Sequence, residues 1–183
     1  MLPTFRILDL STLPHAPEVE ETGTTFHENS ALKAIAISTL TQDLVLADDS
    51  GLEVDALGGA PGVYSARYAG DDGDAANNAK LLRELGQEKN RQARFRCVLT
   101  LAQGGEVLAH FDGSVDGKIL SREAPGPGEA FGYDPLFAPE GYQESFAELG
   151  SEIKNRFSHR SRALSKLQSW LLEKPDFTTS HQA

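Results

Sequence analysis

The stretch that decides the fold is RQARFRCVLTLAQGGEVLAHF, residues 91–111. Its first half alternates polar and apolar residues, which places one set of small and large hydrophobic side chains on a single face of a strand: Ala93, Phe95, Cys97, Leu99 and Leu101. The Gly104-Gly105 pair favours a tight turn, and residues 107–111 can return as the partner strand. The pattern therefore predicts a β-hairpin.

Upstream of the hairpin, strand and helix patterns alternate. Residues 5–10 alternate in polarity and predict a strand. Thr25 and Glu28 have the spacing of a capping box, so we expect a helix to begin there, and its apolar face would carry Leu32, Ile35, Ala36 and Thr39. The apolar run 44–47 predicts a buried strand ending at Asp48, and residues 52–57 predict a second strand.

Two more helices complete the predicted fold. One is expected around residues 75–85 and the last begins near Ser158. Strands alternate with helices early in the chain and form an antiparallel hairpin later, which favours an α/β fold whose central mixed sheet is flanked by helices. No Pro/Gly/Ser-rich linker divides the chain, so we predict a single domain over residues 1–175 and a flexible tail over 176–183.

Composition excludes several classes of function. With 17 Lys and Arg against 27 Asp and Glu, the 183-residue chain carries a net charge of −10, which disfavours binding to a nucleic acid polymer. A single cysteine, Cys97, excludes an intrachain disulfide and a zinc site built from cysteines. No apolar run approaches the roughly 18 residues of a membrane span, and no signal peptide is recognisable, so we expect a cytoplasmic protein without a membrane partner.

The densest polar cluster is Asp48-Asp49-Ser50-Gly51, directly after a predicted strand. Neighbouring side chains of a β-strand point to opposite faces, so only one of the two aspartates would face a given site. An Asp-rich turn is the alternative interpretation. A second acidic cluster comprises Glu18, Glu20, Glu21 and Glu28. If a strand before Glu20 lay beside the strand ending at Asp49, one carboxylate from each could share Mg²⁺.

Two further segments could bind a ligand. Ser158-His159-Arg160 lies at a predicted helix start, where free N–H groups and the Arg160 guanidinium suit an anion or a carbonyl-rich ring edge, and Lys154 lies nearby in sequence. Phe131-Gly132-Tyr133-Asp134 offers an aromatic face, a closely approachable backbone and a carboxylate, which together can stack a base and bond its edge. A solvated helix cap and core packing of Phe131 are the alternatives.

Together these segments resemble the inosine/xanthosine triphosphate pyrophosphatase family over residues 17–171. The most distinctive strings are ADDSGL at 47–52 and LGGAPGVYSARY at 57–68, and the EETGTTF segment at 20–26, Phe131–Pro135 and Ser158-His159-Arg160 follow the same order. The resemblance implies a homodimeric α/β protein with an elongated sheet and a cleft between two lobes. It further implies Mg²⁺-dependent hydrolysis of ITP, dITP and XTP to the monophosphate and pyrophosphate.

The resemblance also implies roles for individual residues. Glu20 and Asp49 match metal-binding positions, and Asp49 also matches the general base that activates water. Ser50 matches a substrate contact, and Lys33 is a candidate on the phosphate side. The positions that match the base-binding region are Phe131, Gly132, Tyr133, Asp134, Lys154, His159 and Arg160.

The sequence departs from the family pattern at two places. No Thr/Ser-x-Asn-x-x-Lys phosphate loop precedes Phe5, and Glu129-Ala130 stand where glycine is usual. The first departure leaves an alternative hypothesis, a shortened family member that binds nucleotide or dimerises with little catalytic activity. A Maf-like pyrophosphatase for modified pyrimidine nucleotides is a further alternative, although it does not explain the Phe131–Asp134 and Ser158–Arg160 segments.

Overall fold

A computed structural model describes residues 5–128 and 131–174 of the chain. Its regular elements in chain order are α1 (Phe26–Ser38), β1 (Val45–Val54), α2 (Gly73–Leu85), β2 (Gln92–Gln103), β3 (Glu106–Ile119), β4 (Phe137–Pro139), α3 (Phe146–Phe157) and α4 (His159–Leu172). The α/β class predicted from the sequence is confirmed. The predicted tail, 176–183, and the Glu129-Ala130 departure lie outside the described residues.

The predicted hairpin forms the centre of the sheet. Strands β2 and β3 pair antiparallel from Gln103↔Glu106 to Gln92↔Lys118, so the hairpin is longer than the sequence pattern indicated. Gly104 and Gly105 have φ angles of 57° and 86°, the left-handed region that a two-residue hairpin turn requires and that glycine adopts without strain. The strand order is β1-β2-β3-β4.

Strand β1 corrects two expectations. The sequence predicted a strand ending at Asp48 and a second strand over 52–57, whereas β1 is one strand that runs through Asp48, Asp49 and Gly51. Asp48 pairs with Leu99 and Asp49 with Val98, in the middle of the ladder. The second predicted strand is in fact the end of β1 followed by a 3₁₀ turn at Asp55–Leu57. The alternation of partners along β2 overrides the local turn propensity of Asp-Asp-Ser-Gly.

The sheet is also simpler than expected. All three pairs of neighbouring strands in the described part of the chain are antiparallel, so the parallel pair that would make the sheet mixed is not found there. Residues 5–10 do not form the predicted strand: Leu10–Thr12 is a 3₁₀ turn, and Ile7 is 73% exposed. An alternating pattern makes a strand only when its backbone pairs with another strand, and residues 5–10 are not part of the four-stranded sheet formed by the described residues.

Helices cover both faces of the sheet. Helix α1 begins at the predicted capping box, in which the Thr25 hydroxyl accepts from the Glu28 N–H and the Glu28 carboxylate accepts from the Thr25 N–H. Ser30 of α1 hydrogen-bonds Thr100 of β2 at 2.6 Å, whereas α4 packs on the neighbouring Leu99 side. Adjacent strand residues face opposite ways, so α1 and α4 lie on opposite faces.

The buried hydrophobic side chains form two clusters. One joins α4 to the β2–β3 hairpin and comprises Cys97, Leu99, Leu101, Phe111, Ala163, Leu167 and Leu171. The other packs α2, α3 and the segment before β4 against the sheet, with Leu52, Val54, Leu81, Phe95, Val115, Ile119, Leu136, Phe137 and Phe146 among its members. Across residues 5–128 and 131–174, no helix has the length and apolarity needed to cross a membrane.

Gly113 allows the first turn of α4 to sit directly on β3. A Cβ atom at Gly113 would lie 1.9 Å from the His159 carbonyl oxygen and 2.6 Å from the Ala163 nitrogen. We therefore expect Gly113→Ala to lower the free energy of unfolding by about 1–3 kcal/mol, the cost of overpacking, in urea denaturation. Gly128→Ala is the control, since a Cβ there meets no atom of residues 5–128 or 131–174 within 4 Å. Equal stability of the two variants would contradict this packing.

Candidate active site

Asp48 and Asp49 project from opposite faces of β1, as the strand rule predicted. Asp49 contacts Lys33 on α1, and Asp48 contacts Arg160 on α4. The two helices therefore bring a cation to each aspartate from opposite sides of the same strand. A single peptide unit therefore separates two different ion pairs, Asp49 with Lys33 and Asp48 with Arg160.

On the α1 face, four charged side chains alternate in sign. Lys33 Nζ lies 3.1 Å from Asp49 Oδ1 and 2.7 Å from Glu21 Oε1. Arg67 NH1 lies 3.2 Å from the other Glu21 oxygen, Oε2. Burial alone would raise the pKa of Glu21, but Lys33 and Arg67 outweigh it and hold that pKa below its ordinary value. We call Asp49, Lys33, Glu21 and Arg67 the acid–base row.

Asp49 is the most buried member of the acid–base row. Burial raises its pKa above the ordinary value, against the opposing pull of Lys33. Its second oxygen, Oδ2, is buried and has no hydrogen-bond partner among the described residues. A buried carboxylate oxygen without a partner is costly, and a bound cation would satisfy it. Among residues 5–128 and 131–174, no cluster of three or more His, Cys, Asp or Glu side chains could hold a metal alone.

The acidic partner of Asp49 is Glu21, whereas the resemblance pointed to Glu20. Glu20 is exposed, and no hydrogen bond or ion pair joins its carboxylate to Lys33 or Asp49 within the described residues. The sequence could not choose between the two, because residues 15–22 form no regular element whose periodicity fixes a direction. The metal-binding role of Glu20 stays a prediction.

Asn29 is a site residue that the sequence reasoning missed. Its side chain is fully buried, and its Oδ1 accepts the Gly23 N–H at 2.8 Å. This bond holds the irregular segment that carries Glu21 against α1. Burial raises the pKa of Asp49, and the nearby Asn29 amide, like Lys33, opposes this rise. The only sequence signal was its place one residue after the capping Glu28.

On the α4 face, Asp48 orients Arg160. The guanidinium donates from Nε to Asp48 Oδ2 at 3.0 Å and from NH2 to Oδ1 at 3.3 Å, a bidentate pair. Ser50 Oγ donates to Asp48 at 2.7 Å, which places the predicted substrate contact Ser50 on this network. The Cys97 thiol also donates to Asp48, and burial raises its pKa to about 12, so Cys97 is an unreactive core residue.

The predicted base-binding segment leads into β4. Phe131 is 66% exposed, and Lys154 Nζ lies 5.9 Å from the centroid of its ring. Lys154 forms a salt bridge with the buried Asp134. The Gly132 N–H donates to Asp74 at 2.6 Å, which fixes the backbone next to Phe131. Tyr133 is buried and donates to the Ser65 carbonyl at 2.8 Å, so its hydroxyl already has a structural partner.

His159, which was predicted to contact the purine base, is also a residue of the protein core. Its ring is 3% exposed and stacks on Phe95 at 4.9 Å between centroids. Burial, together with the charges of Arg160 and Lys154, lowers the pKa of His159 to about 3, so the imidazole is neutral near pH 7. Its Nδ1 atom is buried and unpartnered among the described residues. A ligand contact at His159 stays a prediction.

The geometry thus defines an α/β protein whose first strand presents one ion-paired carboxylate to each of two helices. The model described as the Ham1 family matches residues 1–170. A dITP/XTP pyrophosphatase of Bacillus licheniformis is 49% identical over 170 residues, which are 91% of this chain and 86% of that protein. One of Desulforamulus reducens is 51% identical over 165 residues, 88% and 81% of the two chains.

Solved structures agree with these relatives. The Staphylococcus aureus Ham1 protein superposes with a TM-score of 0.87 at 41% identity, over 94% of this chain and 89% of that one. The chain belongs to the Ham1 family. The family expected from the sequence is confirmed.

The buried histidine generates a pH prediction. The unfolded chain protonates His159 below about pH 6.5, whereas the folded chain does so only near pH 3. The stability contributed by this group is therefore complete above pH 6.5 and is lost as the pH falls from there. Between pH 5.5 and 4.5 we expect the unfolding free energy of the unmodified protein to fall more steeply than that of His159→Gln, by about 1.4 kcal/mol per pH unit. Equal slopes in urea titrations would contradict a neutral buried His159.

Proposed function

We propose that this chain hydrolyses dITP, XTP and ITP to the nucleoside monophosphate and pyrophosphate. One observation carries the proposal: Asp49, buried and with one unpartnered oxygen, shares Lys33 with Glu21 in a chain about half identical to dITP/XTP pyrophosphatases. These products require cleavage of the anhydride between the α- and β-phosphates, and our proposal has the water attack the α-phosphorus. Removing deaminated purines from the nucleotide pool is the purpose that this activity would serve.

The acid–base row fits a divalent cation. Glu21 and Asp49 would hold Mg²⁺, with Asp49 Oδ2 as the free ligand oxygen. When bound, the ion would supply Lewis-acid stabilisation of the charge on the phosphate oxygens. Proteins usually bind Mg²⁺ through one or two carboxylates, since this ion keeps waters and phosphate oxygens as its other ligands.

Asp49 has the properties of a general base. Burial raises the pKa of its carboxylate and makes it more basic than an exposed aspartate, while Lys33 at 3.1 Å opposes this shift and favours the ionised form. Asp49 would take one proton from the attacking water as the water oxygen bonds to the α-phosphorus. The bond from that phosphorus to the bridging oxygen then breaks, and pyrophosphate leaves with the electron pair.

The α4 face supplies groups for the purine. Phe131 offers an exposed ring for stacking, and Arg160, held in one plane by Asp48, offers donors to a carbonyl oxygen. In the described part of the chain, β1 stands at the end of the strand order. A nucleotide lying across the outer edge of β1 could therefore contact Asp49 with its phosphates and Arg160 with its base.

Release of pyrophosphate from dITP in the presence and absence of Mg²⁺ tests this function. Activity lost with the metal removed is the expected result. Nucleotide binding without turnover would instead support the alternative, a family member that binds nucleotide or dimerises with little catalytic activity. Homodimer formation and a cytoplasmic location, both expected from the sequence, stay predictions.

The metal ligands can be separated by matched variants. We expect Asp49→Asn and Glu21→Gln each to lower kcat/KM for dITP by about 10²-fold or more, because each removes a charged group at the metal or the general base. Glu20→Gln is the matched control, with an expected effect within about threefold, since Glu20 is exposed and outside the acid–base row. Steady-state pyrophosphate release measures all three. A severe loss in Glu20→Gln with a normal Glu21→Gln would favour the sequence expectation over this geometry.

Base selectivity follows from the donors on the α4 face. Inosine and xanthine present a carbonyl oxygen at C6 to Arg160 or Lys154, whereas adenine presents an amino group. Two donors would then meet and remain unpaired, so we expect kcat/KM for dITP to exceed that for dATP by at least about 10²-fold. Asp48→Asn, which loosens Arg160, should narrow this ratio. Equal values for dITP and dATP would exclude the proposed base site.

A further inference from the structure

Arg67 occupies a position next to the acid–base row that no sequence argument singled out. It is the last residue of a 3₁₀ segment, Gly62–Arg67, which packs directly on β1. The Ser65 hydroxyl donates to the Gly62 carbonyl at 2.6 Å and accepts the Leu52 N–H at 2.9 Å. A Cβ at Gly51 would lie 2.4 Å from the Gly62 oxygen, so glycine there permits the close approach. The backbone that carries Arg67 is therefore fixed relative to Asp49.

The Arg67 side chain is only partly engaged. NH1 lies 3.2 Å from Glu21 Oε2, NH2 is at 3.5 Å from the Glu21 carbonyl oxygen, and the guanidinium carbon lies 5.4 Å from the Tyr64 ring centroid. The side chain keeps 40% of its surface exposed. A guanidinium has five N–H groups, so donors remain for a ligand that approaches from solvent.

The net charge of the acid–base row indicates that this ligand is an anion. The acid–base row contains two carboxylates, Glu21 and Asp49, and two cations, Lys33 and Arg67, and it is therefore neutral as it stands. A divalent cation held by the carboxylates would leave an excess charge of about +2 beside them. The planar donor fork of arginine matches the oxygens of a phosphate group.

We propose that Arg67 is a phosphate-binding residue, which pairs with Glu21 in the free protein and donates to the β- or γ-phosphate of the bound nucleotide. The proposal rests on the proposed function. It deepens that function by assigning a second cation, besides Lys33, to the leaving pyrophosphate. Its partial exposure distinguishes Arg67 from Lys33, which already contacts both carboxylates.

Binding of inorganic pyrophosphate tests this role apart from turnover. We expect Arg67→Gln to weaken pyrophosphate binding in the presence of Mg²⁺ by about tenfold in calorimetry, and Arg67→Lys to restore part of it, since lysine keeps the charge without the fork. KM for dITP should rise by a similar factor. The thermal midpoint should change little, because exposed ion pairs contribute little to stability.

Arg94→Gln is the matched control. Arg94 is about as exposed as Arg67 and is also ion-paired, with Asp55 at 2.7 Å and Glu53 at 3.4 Å, but it is not part of the acid–base row. If Arg67→Gln bound pyrophosphate as tightly as Arg94→Gln does, the proposal would be overturned. A loss of apparent Mg²⁺ affinity with pyrophosphate binding unchanged would also overturn it, because Arg67 would then only orient Glu21.

Failure of the proposed function gives a different pattern. If the unmodified protein released no pyrophosphate from dITP, the proposed activity would be wrong. Weakened pyrophosphate binding in Arg67→Gln would still support a phosphate contact in that case. Turnover of dITP by the unmodified protein, with Arg67→Gln identical to it in KM and in pyrophosphate binding, would leave the activity standing and exclude the role of Arg67.

Discussion

The alternation of side chains along β1 is the constraint on which the site depends. Because Asp48 and Asp49 are consecutive in a continuous strand, they must project from opposite faces of the sheet. Helix α1 then supplies Lys33 to one aspartate, and α4 supplies Arg160 to the other. The position of both helices follows from close contacts with the same hairpin, through Ser30 and Thr100 on one face and through Gly113 on the other.

Local signals were enough to predict the elements whose information lies within a few residues. The hairpin at 91–111 and the capped start of α1 are of this kind, since a turn or a cap is decided by neighbours in sequence. The strand predicted at 5–10 and the break predicted after Asp48 were wrong, because strand formation depends on a distant pairing partner. Helix α3 escaped prediction, and Gly150, with φ of 77°, interrupts its pattern.

Candidate site residues could be predicted from the sequence only where a motif contained them. Family resemblance named Asp49, Lys33 and Arg160, and the structure places each of them in a charged network. The resemblance could not show whether Glu20 or Glu21 faces Lys33, because tertiary contacts set the directions of side chains along an irregular segment. No role could be assigned to Arg67 for the same reason, because 46 residues separate it from the carboxylate that it contacts.

A single peptide unit spaces the two halves of the site. Consecutive Cα atoms stand about 3.8 Å apart, a length set by covalent bonds and not by packing. The carboxylate on the α1 face and the carboxylate on the α4 face are thus attached to the two ends of one planar peptide unit. Thermal expansion of the core, or substitutions that shift either helix, can move Lys33 and Arg160, but the distance between the Cα atoms of Asp48 and Asp49 does not change. Strand β1 therefore fixes the spacing between the backbone positions that carry the two carboxylates, one on each face of the sheet.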